Sequence, residues 1–335
     1  IALRRVSKYF RESTDLSILT RLFVPPIREP WNLGTGMKVL LLLSIFKYGL
    51  WLTGMTMFDL MNMATRTGNI VLVILVGILF PIDWFMSILA PYIITYVLVM
   101  SITHSEKALN FLAKHVTRLV SRDLSYSVAN FILKGSTRLY RVSFVIALII
   151  AVTTTYIGMS SSLGAWIGSF VEKIQEIGSS TGAPIFLLSA LFEGQIASYR
   201  MTAYISIFLA VLGSIIITLV LLTDMDKELA VLRARGAGLR DLGRFVYGVV
   251  FTVLIMSISV GLLSGFIWLR GSLSSVSSGI GIGFLSENIP KPAMVFTLND
   301  LLYLCIIFGI LFLSPLVIIM FSQRYPVAEK LRSLV

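Results

Sequence analysis

With 335 residues, 56% of them hydrophobic and only 13% charged, the chain falls outside the composition of a soluble globular domain, in which about a quarter of the residues are charged. Its net charge of +11 does not indicate nucleic acid, because the basic residues are spread over four segments between apolar runs instead of forming one face. A basic balance is what a membrane protein shows when Lys and Arg gather on its cytoplasmic side, and the lone Cys305 excludes a disulfide within the chain.

Residues 1–38 form a basic segment carrying Arg4, Arg5, Lys8 and Arg11, closed by a turn region with Pro25, Pro26 and Pro30. No apolar core follows the first basic residues, so this is not a signal peptide, and the start at Ile1 reads as a processed or partial product. The first apolar run, 39–58, has spanning length and holds Lys47, whose charge is costly near a bilayer centre and calls for packing or snorkelling. The next run, 70–102, is too long for one simple span and is divided by Pro81 and Asp83. Its second part, from Ile82, spans; residues 71–80 are interfacial, re-entrant or an extension. A Lys47–Asp83 pair requires these two spans to pack together, which the sequence does not show. Residues 39–106 are thus a two-helix transmembrane linker.

Residues 107–141 change character. Leu109, Leu112, Val116 and Leu119 recur at helical spacing, with Lys107, Lys114, Arg118 and Arg122 mostly opposite. A basic amphipathic helix of this kind lies at a membrane surface, or packs as a soluble helix on a cytoplasmic partner. Four further spans follow in 142–335: residues 142–162, 202–223, 245–269 and 301–321. Between the first two lies a short extracytoplasmic segment, 163–201, too small for an independent core. A Ser/Gly-rich loop, 271–291, is expected to be flexible. Pro315 is expected to bend the last span. In 245–269 the small residues Gly248, Ser257, Ser259, Gly261, Ser264 and Gly265 permit close helix packing. The whole reads as an all-α integral membrane protein of about six spans, two plus four. The basic segments place both termini in the cytoplasm at every crossing.

Between two uncharged runs stands KELAVLRARGAG, residues 227–238. Asp224, Asp226 and Glu228 gather at its front and Arg233 and Arg235 at its back, as a short helix with a favourable dipole would arrange them. Leu229, Val231 and Leu232 give it an apolar side, and Gly236 and Gly238 are suited to end it. It is either a charged turn or a helix that docks on a cytoplasmic partner.

The stretch from Glu228 to Gly238, ELAVLRARGAG, resembles the E-I-A-x-L-R-A-x-G-A signature of the FtsX/MacB-like permeases of ABC transporters, where it follows the second helix of a four-helix unit. The Gln323-Arg324-Tyr325-Pro326-Val327-Ala328 stretch is similar to the Y-P-A that follows the fourth helix. The resemblance covers residues 107–335, while residues 1–106 look like the two-helix linker of long tandem members, so an upstream four-helix unit would be absent here. It implies a permease subunit paired with a second permease unit, embedded in lipid, and driven by a separate cytoplasmic ABC ATPase. An extracytoplasmic substrate-binding or effector protein is a further implied partner. Glu228, Leu229, Val231, Leu232, Arg233, Arg235 and Gly236 would contact the ATPase, and Tyr325 and Pro326 would mark the cytoplasmic C-terminus. The family usually carries a large domain where this chain has only 163–201, which favours an alternative, a non-transporting membrane scaffold.

Catalysis is not expected of the chain. Its only histidines, His104 and His115, lack Cys or carboxylate companions for a metal. It has no G-x-x-x-x-G-K-[ST] loop for ATP, and Gly261 to Gly265 (GLLSG) has no preceding strand to make a nucleophile elbow. Neither cofactor nor nucleic acid is expected.

Overall fold

The computed structural model describes residues 34–117, 128, 132, 136–178, 185–234, 238–280 and 292–322. These form eight helices and, among the described residues, no strand. They are α1 (Thr35–Thr53), α2 (Met57–Arg66), α3 (Ile70–His104), α4 (Glu106–Thr117), α5 (Ser136–Gly178), α6 (Ile185–Ala234), α7 (Leu239–Ile280) and α8 (Leu298–Ser322). Six of them, α1, α3, α5, α6, α7 and α8, are long and apolar enough to cross a membrane. The described spans are thus all helices and the chain is a multi-pass membrane protein, since only helices satisfy every backbone group within a single spanning segment.

The helix ends follow from local chemistry. α1 stops at Gly54, whose φ of 73° suits the left-handed cap and whose N–H reaches the Leu50 and Trp51 carbonyls. The first span therefore ends earlier than residue 58. Two capping boxes were not anticipated. Thr56 and Asp59 exchange side-chain and backbone hydrogen bonds at the start of α2, and Thr297 and Asp300 do the same at the start of α8.

α3 resolves the ambiguity of 70–102: it is one helix of 35 residues, unbroken through Pro81 and Pro91. At 1.5 Å per residue it is about 52 Å long, well beyond a hydrocarbon core of about 30 Å. Residues 71–80 are thus an extension of the span, against which α2 packs, with Leu50, Met57 and Val76 buried together. α8 likewise runs through Pro315. Proline there withholds an N–H from the Leu311 carbonyl, and the Ser314 hydroxyl donates to it at 3.4 Å.

α7 is the central helix, touching α1, α3, α4, α5, α6 and α8. Its closest partner is α5. A Cβ added at Gly261 would stand 2.5 Å from the Ala147 carbonyl oxygen, and one at Gly265 would stand 2.8 Å from that of Ala151. The expected small-residue stripe is therefore a helix interface, with two glycines four apart letting the backbones meet. Ser259 is exposed and takes no part. On α5, Thr155 donates to its own helix at Ala151 and across to the Gly265 carbonyl at 3.1 Å.

The two-helix pair is joined to the four-helix unit by polar and packing contacts. Tyr48 of α1 and Ser264 of α7 share a 2.7 Å hydrogen bond, and Thr95 of α3 donates to the same Ser264 oxygen at 2.9 Å. All three groups are buried. Gly271 lies flush against the Trp51 ring. Ser264→Ala leaves the Tyr48 and Thr95 hydroxyls without that partner, and should cost about 1–2 kcal/mol. Denaturation in detergent would register this as a lower midpoint, and Ser264→Thr should recover part of it.

Three expectations change. First, α4 turns its apolar stripe inward: Leu109, Ala113 and Val116 are buried, and Leu112 packs beside Val99, Ala147 and Met256. The stripe meets the chain's own α3 and α7, while Lys107 and Lys114 are exposed opposite. Second, 163–201 is largely the helical continuation of α5 and α6, and Leu163 and Trp166 bury against Leu269 and Leu273 of α7. Its core is shared with the neighbouring helix, which is how so short a segment has one. Third, residues 271–280 are helical, with Ser274 and Ser275 donating to the carbonyls four residues back. Residues 281–291 lie outside the described part.

Candidate functional site

Two features of this fold bear on function. The first is the charged stretch at 227–238. The sequence suggests a short helix of its own, yet α6 runs unbroken from Ile185 to Ala234. Neither proline nor glycine interrupts it between Gly213 and Ala234, so nothing ends the helix where the charges begin. Asp224, Asp226 and Glu228 therefore sit inside a long helix and not at an N-terminus, and the dipole argument for them lapses. From Asp224 to Ala234 the rod continues about 16 Å past the uncharged run.

Glu228, Val231, Leu232 and Arg233 ride on these last turns, and Leu229 packs, half-buried, against the principal core. Arg235 and Gly236 lie outside the described residues, as do Tyr325, Pro326, Arg118 and Arg122. Gly238 opens α7, its carbonyl accepting from the N–H groups of Asp241 and Leu242 at 3.1 Å. The structure thus places Glu228–Ala234 on one helix with an apolar spanning run, and α7 begins at Leu239.

The second feature is a buried ion pair. Lys47 of α1 donates to Asp83 Oδ1 of α3 at 2.6 Å. The side chains are 5% and 17% exposed. The helices that carry them pack along their length, with Tyr48, Trp51, Met86, Ala90 and Ile93 forming a common cluster. Lys47 Nζ also stands 5.4 Å from the centre of the Trp51 ring. Lys47 is accordingly packed and paired, and does not snorkel.

The pair forms part of the wall of an open cavity of about 400 Å³ between the two-helix pair and α5, α6 and α7. Seven of its seventeen lining residues are aromatic. Trp51 and Trp84 come from the pair, Phe58 and Phe80 meet edge to face at 4.9 Å, and Tyr156 and Tyr199 lie 5.5 Å apart across α5 and α6. Ser87 and Thr155 also line it, each donating to a helix carbonyl. The cavity reaches Ser272 and Ser275, just past the point where the uncharged run of α7 ends at Arg270.

Among the described residues no three His, Cys, Asp or Glu side chains come together to hold a metal. His104 and His115 each use Nδ1 on a carbonyl of their own helix. Comparison with known protein families, curated proteins and solved structures returns no match for this chain.

Proposed function

We propose that the chain is the membrane-embedded permease subunit of an ATP-driven transporter of the FtsX/MacB-like kind. Its Glu228–Gly238 signature would receive motion from a separate cytoplasmic ABC ATPase, and both termini would lie on that same side. The observation that supports this reading is the continuity of α6: the first seven residues of the signature, Glu228 to Ala234, sit on the same helix as a spanning run, so a force applied at Glu228 or Arg233 moves the span itself. A charged turn between two helices would lack that mechanical connection. The extent of α7's contacts adds support, because a displacement delivered at its Gly238 end acts on six other helices. Lys107 and Lys114, exposed on α4, would face anionic lipid at the same surface. A second permease unit would complete the pair, and an extracytoplasmic protein would supply the substrate grip that 163–201 is too small to provide.

The test has two parts. Native purification of the chain from its own membranes should bring an ABC ATPase with it; a complex that holds the chain but no ATPase would favour the scaffold reading instead. Reversing Arg233 and Arg235 to Glu should then weaken the ATPase complex by about tenfold or more, since losing paired interface charges costs about 2–5 kcal/mol. Insertion should be unaffected, which protease mapping of the spans would check.

A further inference from the structure

We propose that the ring-lined cavity binds a neutral amphiphile: a molecule with an apolar body and an uncharged head that bears carbonyl or hydroxyl oxygens. The Lys47 ammonium is the group that reads that head. This inference stands apart from the ATPase reading, because it rests on the cavity alone.

Size and lining come first. About 400 Å³ lies within the range of small-molecule sites, about 300–1,000 Å³. Flat rings in this number offer broad apolar contact at little conformational cost.

The polar groups then select the head. An ammonium has three N–H donors. Lys47 makes one hydrogen bond, to Asp83, and no other among the described residues, although its side chain is 5% exposed. A charge withdrawn from water is stabilised only when its remaining donors find acceptors. The nearby Ser87 and Thr155 hydroxyls spend their protons on helix carbonyls, so of these three neighbouring groups Lys47 is the one with N–H donors to spare. A ligand oxygen is the complement.

Charge balance excludes charged heads. Asp83 already neutralises Lys47 at 2.6 Å. An added carboxylate or phosphate would leave an unpaired negative charge among aromatic rings, and an added ammonium an unpaired positive one. The face of Trp51 is already taken by Lys47 itself.

Position favours a molecule that partitions into the bilayer. The cavity reaches Ser272 and Ser275, just past Arg270 where the uncharged run of α7 ends, and two of its lining rings, Trp84 and Phe58, are exposed. Aromatic rings of this kind belong at the membrane–water boundary, where an amphiphile places its head.

Tryptophan fluorescence supplies the test, since Trp51, Trp84 and Trp268, three of the chain's five tryptophans, line the cavity. The full chain would be placed in phosphatidylcholine nanodiscs. It would be titrated with three probes sharing one dibrominated C18 chain: a monoglyceride, the fatty-acid anion and the alkyltrimethylammonium cation. Saturable quenching is expected from the monoglyceride, at an affinity about tenfold or more above both charged probes, as follows from a hydrogen bond to a charged donor. Ser272→Phe, which fills the cavity, should remove the saturable component. The double variant Lys47→Met/Asp83→Leu, which removes the donor without leaving a charge, should lower the monoglyceride affinity by about tenfold. Should Ser272→Phe fail to fold, the wild-type titrations and the double variant decide. Non-saturating quenching by all three probes, preference for a charged probe, or unchanged monoglyceride binding in the double variant would overturn the proposal.

Discussion

Asp83→Leu should destabilise the protein by about 3–5 kcal/mol, the usual cost of stripping a buried charge of its partner. Lys47 would then carry an ammonium that is 5% exposed, with no carboxylate and no other hydrogen bond among the described residues. Lys47→Met should cost less. Asp83 is 17% exposed and faces the cavity, so it keeps partial access to solvent. The double variant Lys47→Met/Asp83→Leu should return to within about 1 kcal/mol of the parent, or exceed it, because well-packed apolar side chains match or surpass a buried pair in stability. Denaturation of the four proteins in mixed micelles forms a double-mutant cycle. An interaction energy near zero, with Asp83→Leu no worse than Lys47→Met, would show that the pair contributes nothing to joining α1 to α3.

This pair also marks where reading the chain alone stops. Apolar runs near twenty residues locate the six spans, because the thickness of a bilayer sets that length. They do not say which spans touch. Lys47 and Asp83 are 36 positions apart, and only the packing of α1 on α3 turns two isolated charges into a neutral unit. The same limit applies to α4. Its stripe of Leu109, Leu112 and Val116 is legible at helical spacing, but a stripe looks alike whether it meets lipid, a partner or, as here, its own α3 and α7. The unbroken course of α6 was readable in principle, since no glycine or proline lies between Gly213 and Ala234. A switch from apolar to charged residues changes what surrounds a helix without ending it. Ser272, Ser274 and Ser275 mislead in the opposite sense. Serine is common in loops, yet Ser274 and Ser275 spend their hydroxyls on the preceding turn, and the flat contact of Gly271 with Trp51 holds this stretch against α1.

The small-residue stripe of α7 was legible as a close-packing surface, and the structure supplies its partner and the severity of the constraint. Gly261→Leu should abolish the folded protein. The atom nearest an added Cβ is the Ala147 carbonyl oxygen at 2.5 Å, followed by Ile150 Cβ at 2.8 Å. Neither is the far end of a flexible side chain, so relief requires α5 and α7 to move apart. That movement would also pull Thr155 from the Gly265 carbonyl and open the cluster of Val249, Val250 and Val253 beneath it. Gly261→Ala carries the same clash with one carbon and should cost about 1–3 kcal/mol, the range for overpacking in a well-packed core. Gly309→Ala is the matched control, since a Cβ there meets nothing within 4 Å. It should be neutral or stabilising, because alanine is the better helix former by about 1 kcal/mol. Size-exclusion profiles and thermal midpoints in detergent would rank the three variants. A folded Gly261→Leu protein with a midpoint like that of Gly309→Ala would mean that α5 and α7 are not held in contact at Gly261, and the interface through which α7 would pass motion to α5 would have to be sought elsewhere.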